Sequence, residues 1–419
     1  MLVPSPPAEA SPVRDSARRA ARLLLAFLAC SISFTLILRA RMVPLGDLYS
    51  PWYGMQQLLN HGRNPYGPEV SGEIQLAFYG HLLQPAEEMN EQRFAYPIYV
   101  VVLLWPMAFM KYSTASAIAL PLLIAAGAAF ILACARFVDW PASKSDQLAA
   151  VLFGLSTGPM LRALRVEQLT TLVALFLMAA FVALTRRRLV SAGILLALAT
   201  FKPQIALLPI LWAVVWAFSK WPERKKLLLG LAGMEAVLLV VGQVLLPGWL
   251  TDFVRGLPAY GRYAGRDSLL TMLAGEWAGL AATVLLSGAG AWAVYSSRKK
   301  SATSGGFQLT TALVLALAAV GMPAMAAGHN QILMFPAAFL LLRDARMLGF
   351  GLTTCFAAFL SWTPLVALAT RFSGHKDFVY AVNTGVGAVV PLILMVFLVR
   401  YASRWNAAAD YGEGSRPSQ

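Results

Sequence analysis

Three ionisable residues with apolar or aromatic neighbours could do chemistry: Asp47 in RMVPLGDLYSPWYG, Lys202 in LALATFKPQIALL and His329 in AAGHNQILMFP. A free aspartate has a pKa of about 3.9, so Asp47 is charged near neutrality and able to accept a proton. The same position also suits the end cap of a short helix. Lys202 has about ten apolar residues on either side, and a lysine at membrane depth costs about 2.5–3.5 kcal/mol. It persists more easily beside an anion, with Pro203 breaking the helix to free backbone groups next to it. The other reading is a lysine that snorkels from a tight hairpin turn. His329 either caps the apolar segment after it or donates to a ligand oxygen. Competing chemistry is missing: the chain has no P-loop, no GxGxxG opening a helix, no HExxH and no GxSxG. No second acidic ligand accompanies Asp47, so neither a metal nor a cofactor is expected.

These residues have to be positioned by a membrane-embedded scaffold. Of the 419 residues, 58% are hydrophobic and only 13% charged, about half the charged share of a soluble chain. The mean hydropathy is +0.63. Apolar runs near twenty residues recur from Leu23 to Val399, which predicts a polytopic all-α membrane protein. Backbone groups facing lipid must be satisfied within the segment, which favours helices over a barrel. The net charge of +14 comes from short basic clusters between apolar runs, the pattern of cytoplasmic membrane flanks and not of a nucleic-acid binder. Cys30, Cys134 and Cys355 each lie inside an apolar run, as small packing residues and not as a disulfide framework.

The charges set the expected topology. Arg14, Arg18, Arg19 and Arg22 precede the first run, Leu23–Leu38, and place the N-terminus inside as a disordered tail, 1–20. That run ends in Arg39 and Arg41 with no small-residue cleavage site, so it reads as an uncleaved span. The transmembrane domain is 21–404, with an outer loop over 40–96, and 405–419 is an inner tail. Arg186–Arg188, Lys220–Lys226, Arg298–Lys300 and Arg343 with Arg346 mark inner loops. About twelve crossings follow, with Lys202-Pro203 and His329 at outer turns and the last hairpin over 348–400. Four apolar runs fall in 97–184, where an odd number of crossings is needed. The short run 147–160 contains Gly154, Gly158 and Pro159, so it is taken as re-entrant or broken and the other three as spans. That choice puts Glu167-Gln168 outside, together with Arg136 and Lys144, against the positive-inside trend. Residues 52–59 and 249–257 are predicted as short interfacial helices, with Trp52 and Trp249 at headgroup level. The cluster from Asn64 to Pro68 is a turn ending the first of them.

This topology collects Asp47, Arg63, Asn64, Tyr66, Tyr96, Glu167, Gln168, Lys202, Gln204, Arg262, Arg266, His329, Asn330 and His375 on the outer face from distant parts of the chain. A polar cluster at one face of a helical bundle is a binding-site candidate, although outer loops are also simply polar.

The same stretches resemble the family-87 glycosyltransferases, integral-membrane enzymes of the GT-C fold. An Asp-aromatic element, Asp47, Tyr49, Trp52 and Tyr53, precedes a G-x-N-P-Y turn at Gly62, Asn64, Pro65 and Tyr66. The family's F-x-Y-P-P element is present as Phe94, Ala95, Tyr96 and Pro97, with Ile98 in place of the second proline. Its G-Q element is present as Glu167-Gln168, with Glu in place of Gly. Its A-G-x-L-L-A-L-A-x-x-x-K-P element runs from Ala192-Gly193 to Lys202-Pro203, and its outer His before a Pro-containing span is His329 with Pro336. The resemblance implies inverting transfer of a hexose, mannose in several members, from a polyprenyl-phosphate donor to a glycolipid or glycan acceptor at the outer face of the plasma (inner) membrane. It implies that Asp47 is the base. The residues suit that role: phosphate is a good leaving group, so one carboxylate suffices where a glycosidase needs two. Lys202 or an arginine would stabilise the developing charge, and Tyr49, Tyr53 and Tyr66 suit a sugar face. The competing expectation is a polytopic transporter or lipid flippase. Such a protein should carry repeats and mid-span ionisable residues, and Glu235 is one of few here.

Overall fold

A computed structural model describes residues 45–343, except for 85–86, 88–90, 264–267, 269, 272–274 and 323–327. The first apolar run, the last hairpin and both tails lie outside the described residues. Every regular element among the described residues is helical.

Two helices precede the main bundle. Helix α1, Tyr49–His61, ends at Gly62, whose φ of 65° is the left-handed conformation that closes helices. Helix α2, Pro68–Tyr79, starts on a proline, whose missing N–H costs nothing at that position. The expected helix is therefore present as α1, with its apolar face turned into the protein. Trp52, Met55 and Leu58 are buried. The reason is a short partner, a 3-10 turn Ile98–Val100 that runs into α3, Val101–Ala108. The carbonyls at the end of α3 have no partners within the helix. The Trp52 indole N–H donates to Met107 O at 2.9 Å, and Asn60 donates to Ala108 O at 3.2 Å.

This pairing corrects the topology of 97–184. Ile98–Ala108 rises only about 18 Å, too short for a hydrocarbon core of about 30 Å. It begins against Gly242 and Trp249 and ends against α1, so it stays on the Asp47 side. Helix α4, Tyr112–Phe137, then leads to the opposite, basic face, where Arg136 lines a cavity with Arg186 and Thr303. The return leg is α5, Lys144–Leu155, followed by α6, Gly158–Arg165. The run taken as re-entrant is thus broken, as expected, but it belongs to a leg that joins the two faces. Its break is dry: Ser156 and Thr157 are buried, and their hydroxyls donate back to Leu152 O at 2.6 Å and Gly154 O at 2.8 Å. Helix α7, Thr170–Thr185, descends again. Three legs keep the odd parity, and Arg136 and Lys144 move to the basic face, where the charge rule wants them.

The remaining described elements follow in chain order. They are α8, Leu189–Ala199; α9, Pro203–Phe218; α10, Trp221–Leu245; α11, Trp249–Tyr263; α12, Glu276–Ser297; α13, Gly305–Gly321; a 3-10 segment, Gly328–Met334; and α14, Phe335–Arg343. Three of the helices, α4, α10 and α12, are long and apolar enough to cross a membrane alone. Helices α8 and α10 pack backbone to backbone. A Cβ on Gly193 would lie 2.2 Å from Leu227 O, and one on Gly230 would lie 2.4 Å from Val190 O. Small residues permit that approach where lipid supplies no hydrophobic drive. Glu235 of α10 is part of the same seam: Thr200 donates to its carboxylate at 3.3 Å, and Tyr99 donates to Thr200 Oγ1 at 3.0 Å. On the basic face, Arg224 donates to Trp216 O, Arg298 O and Lys300 O, closing the ends of α9 and α12.

Helix α11 is amphipathic, but its tryptophan is misplaced by the sequence reading. Trp249 is 3% exposed and lies over Gly242 and edge-on to Tyr99. The outward stripe is Leu250, Val254 and Leu257, which suits a helix resting in the membrane interface.

Candidate active site

Asp47 sits just before α1, on the turn that enters it. Its backbone N–H donates to Val166 O at 2.7 Å. The preceding N–H, of Gly46, donates to the Tyr112 hydroxyl at 3.0 Å. A Cβ at position 46 would lie 3.0 Å from Val166 O, so the glycine allows this close seating.

The side chain is held across a separation of more than a hundred residues. Gln168 Nε2 donates to Asp47 Oδ2 at 2.5 Å. The other end of the same amide, Oε1, accepts from Lys202 Nζ at 2.5 Å and from the Tyr96 hydroxyl at 3.5 Å. Lys202 Nζ also donates to Thr170 Oγ1 at 2.9 Å, and Thr170 donates to Asn330 at 3.3 Å. One relay therefore joins Asp47, Gln168, Tyr96, Lys202, Thr170 and Asn330. Asp47 Oδ2 is committed to Gln168, the one side-chain hydrogen bond of Asp47 among the described residues. Burial raises the Asp47 carboxyl above the usual carboxylate value, opposed by the Lys202 charge, the Gln168 hydrogen bond and the Arg162 charge.

The local backbone explains why Gln168 points as it does. Glu167 has a φ of 54°, a left-handed conformation that suits glycine and costs other residues about 1–3 kcal/mol. Its carboxylate offsets the strain by accepting from the Tyr112 hydroxyl at 3.2 Å and from Ser116. The glutamate in place of the family's glycine thus has its own support, which also reaches Gly46 through Tyr112.

Lys202 lies between α8 and α9 and is 6% exposed. Helix α8 rises only about 16 Å, about half the thickness of a hydrocarbon core, and the relay that meets this turn is largely buried. His329 is half-buried in the 3-10 segment, with Lys202 and Arg162 within electrostatic reach. Arg162 was not anticipated. It is an exposed residue of α6, its guanidinium lies beside Gly328, and its charge reaches both Asp47 and His329. Its side chain makes no hydrogen bond or ion pair among the described residues. In sequence it is one arginine of LRALR, and only the adjoining EQ element hinted at its location.

The other expected residues divide into two groups. Tyr66 donates to Tyr96 O at 2.7 Å, and Asn64 donates to Asp252 at 2.8 Å. With Gln204, Arg93 and Arg255 they line a cavity of about 590 Å³ between the first outer segment, α9 and α11. Tyr96 links the cavity to the relay, since its carbonyl accepts from Tyr66 and its hydroxyl donates to Gln168. Tyr49 and Tyr53 stack on each other, and Tyr49 also meets Tyr112 edge-on. Arg63 is elsewhere engaged, donating to both oxygens of Glu73 at 2.9 and 3.0 Å, to Gln57 and to Glu69. Tyr53 donates to the same Glu73. No group of three metal-ligating side chains occurs among the described residues.

A largely buried carboxylate joined through an amide to a buried lysine, with a second cation within electrostatic reach, is an arrangement able to carry group transfer. The sequence profile of glycosyltransferase family 87 matches residues 94–323, more than half of the chain. The chain belongs to that family and is a membrane-embedded glycosyltransferase. The match takes in Tyr96, Arg162, Gln168, Lys202 and Gln204, and it stops short of Asp47 and His329. Curated proteins and solved structures gave no match.

Proposed function

We propose that this glycosyltransferase moves a hexose, mannose in the first instance, from a polyprenyl-phosphate donor to a glycolipid or envelope-glycan acceptor. It acts with inversion at the outer face of the plasma (inner) membrane, on a GT-C bundle of about twelve crossings. The observation that carries this reading is the shared amide: Gln168 holds one oxygen of Asp47 and faces Lys202 with its other end, leaving Asp47 Oδ1 to accept a proton.

In the step envisaged, the acceptor hydroxyl gives its proton to Asp47 Oδ1 as its oxygen bonds to the sugar C1. The bond from C1 to the phosphate oxygen breaks, and the phosphate leaves with the electron pair. Lys202 has two of its three N–H donors taken, by Gln168 and Thr170. Its third donor and the Arg162 guanidinium are assigned to the leaving phosphate, where preorganised positive charge lowers the barrier. His329 and Asn330 border that position. The cavity lined by Asn64, Tyr66 and Gln204 has the size and mixed lining of a site for a lipid-linked sugar. Its α11 wall carries the outward Leu250, Val254 and Leu257, which suits entry of a prenyl chain from the bilayer. Tyr49 and Tyr53 offer aromatic surface to the acceptor.

Full-length protein reconstituted in liposomes should transfer labelled hexose from a polyprenyl-phosphate sugar and not from a nucleotide sugar. Transfer from the nucleotide sugar alone would overturn the donor assignment. An Arg162→Gln variant should raise the donor KM more than the acceptor KM.

A further inference from the structure

The basic face carries a second cavity, of about 480 Å³, on the side opposite Asp47. Four separate parts of the chain build it. Arg136 and Asp139 come from the end of α4, Gln147 from α5, and Thr185, Arg186 and Thr303 from the end of α7 and the loop before α13. Arg136 and Arg186 are exposed, and their guanidinium groups have no hydrogen bond or ion pair among the described residues. The one acid, Asp139, accepts weakly from Gln308 at 3.5 Å. Two guanidinium groups against one carboxylate leave the cavity positive; Thr185 and Gln147 already donate to Val182 O and Ala142 O, so the arginines are its main donors.

Depth indicates the ligand. Phe137 and Thr185 are the last residues of α4 and α7, so the cavity opens where hydrocarbon gives way to headgroups. Leu132 lies on its apolar side, and Leu148, next to Gln147, is 53% exposed. Trp140 lines the cavity and packs edge-on to Phe339, and an amphipathic ring suits this level. Basic pockets between spanning helices on the cytoplasmic side take anionic headgroups. We infer that this cavity is a binding site for the phosphate group of an inner-leaflet anionic phospholipid, held between Arg136 and Arg186 with its acyl chains along Leu132 and Leu148. The site is independent of the transfer chemistry on the other face.

The test is native mass spectrometry of the detergent-solubilised full chain titrated with phosphatidylglycerol, with phosphatidylcholine as the zwitterionic comparison. The wild type should prefer phosphatidylglycerol. Arg136→Gln and Arg186→Gln should each weaken its binding about fivefold, since a surface cation near an anionic headgroup contributes about a factor of that size. Arg136→Lys should recover part of the loss. Arg187→Gln and Arg188→Gln, which remove the same charge outside the cavity, should leave binding within about twofold. Equal losses from those two variants would mean diffuse surface charge and would overturn the site, as would unchanged binding in the Arg136→Gln, Arg186→Gln double variant. Inorganic phosphate should not displace the lipid at matched concentration; if it does, the ligand is free phosphate and the lipid assignment fails. An unchanged unfolding temperature without lipid separates lost binding from lost fold.

Discussion

Two polar clusters on the Asp47 side have similar ingredients and opposite construction. The cluster around Arg63 is local: Gln57, Glu69 and Glu73 lie within ten residues of the arginine and pair with it directly at the surface. Its bidentate contact holds the Glu73 carboxyl below the usual carboxylate range. The relay around Asp47 draws on residues 47, 96, 168, 170, 202 and 330 and is largely buried. There the cation and the carboxylate do not touch, because Gln168 stands between them. A direct ion pair neutralises its members. An amide spacer keeps both charges fixed while leaving a lone pair and an N–H unspent. The roles proposed above, a carboxylate that takes a proton and a cation that meets a phosphate, need the second arrangement.

The contrast yields a graded set of expectations. The largest effect should come from Asp47→Asn, which keeps the shape and removes the base. Transfer should fall about 10²- to 10⁴-fold in a protein with unchanged thermal unfolding, and near wild-type turnover would remove Asp47 from the mechanism. Gly193→Val comes next. A side chain driven against Leu227 O must separate α8 from α10, which should cost about 1–3 kcal/mol and appear as a lower unfolding temperature with reduced transfer. Lys202→Met should act through pH. The Lys202 charge lowers the raised Asp47 carboxyl, so its loss should move the acid limb of kcat/KM upward by about one pH unit. A limb that stayed in place would uncouple the two residues. The smallest effect belongs to Arg63→Gln, which breaks only an exposed local cluster and should leave transfer within about twofold. A large loss in that variant would mean that the local cluster also serves the substrate.

Much of the relay was legible because each member carries a local oddity. Lys202 is a charge in an apolar run, Gln168 follows a break, and Asp47 is a lone acid among aromatics. Arg162 was not legible, since an arginine on a short amphipathic helix looks like any interfacial cation until α6 is seen against Gly328. The legs of 97–184 were misassigned for a related reason. Glycine and proline in 147–160 were taken to forbid a crossing, yet Ser156 and Thr157 satisfy the broken backbone from within, so the break is tolerated at depth. The apolar run at 97–111 hid the opposite fact: a helix too short to cross, tied to α1 by Trp52. Arg136 and Lys144 had indicated the right answer through their charge alone.

The break at Ser156-Thr157 also sets how the chain tolerates insertions. One extra residue in a continuous helix rotates everything after it by about 100°. Here the phase of Arg162 is set by the eight residues of α6 and by the 3-10 segment beneath it, not by the twelve of α5. A residue gained or lost in 144–155 can be absorbed at the break, whereas the same change in 158–161 would turn Arg162 away from Asp47. Length variation among relatives should therefore be found before the break and not after it.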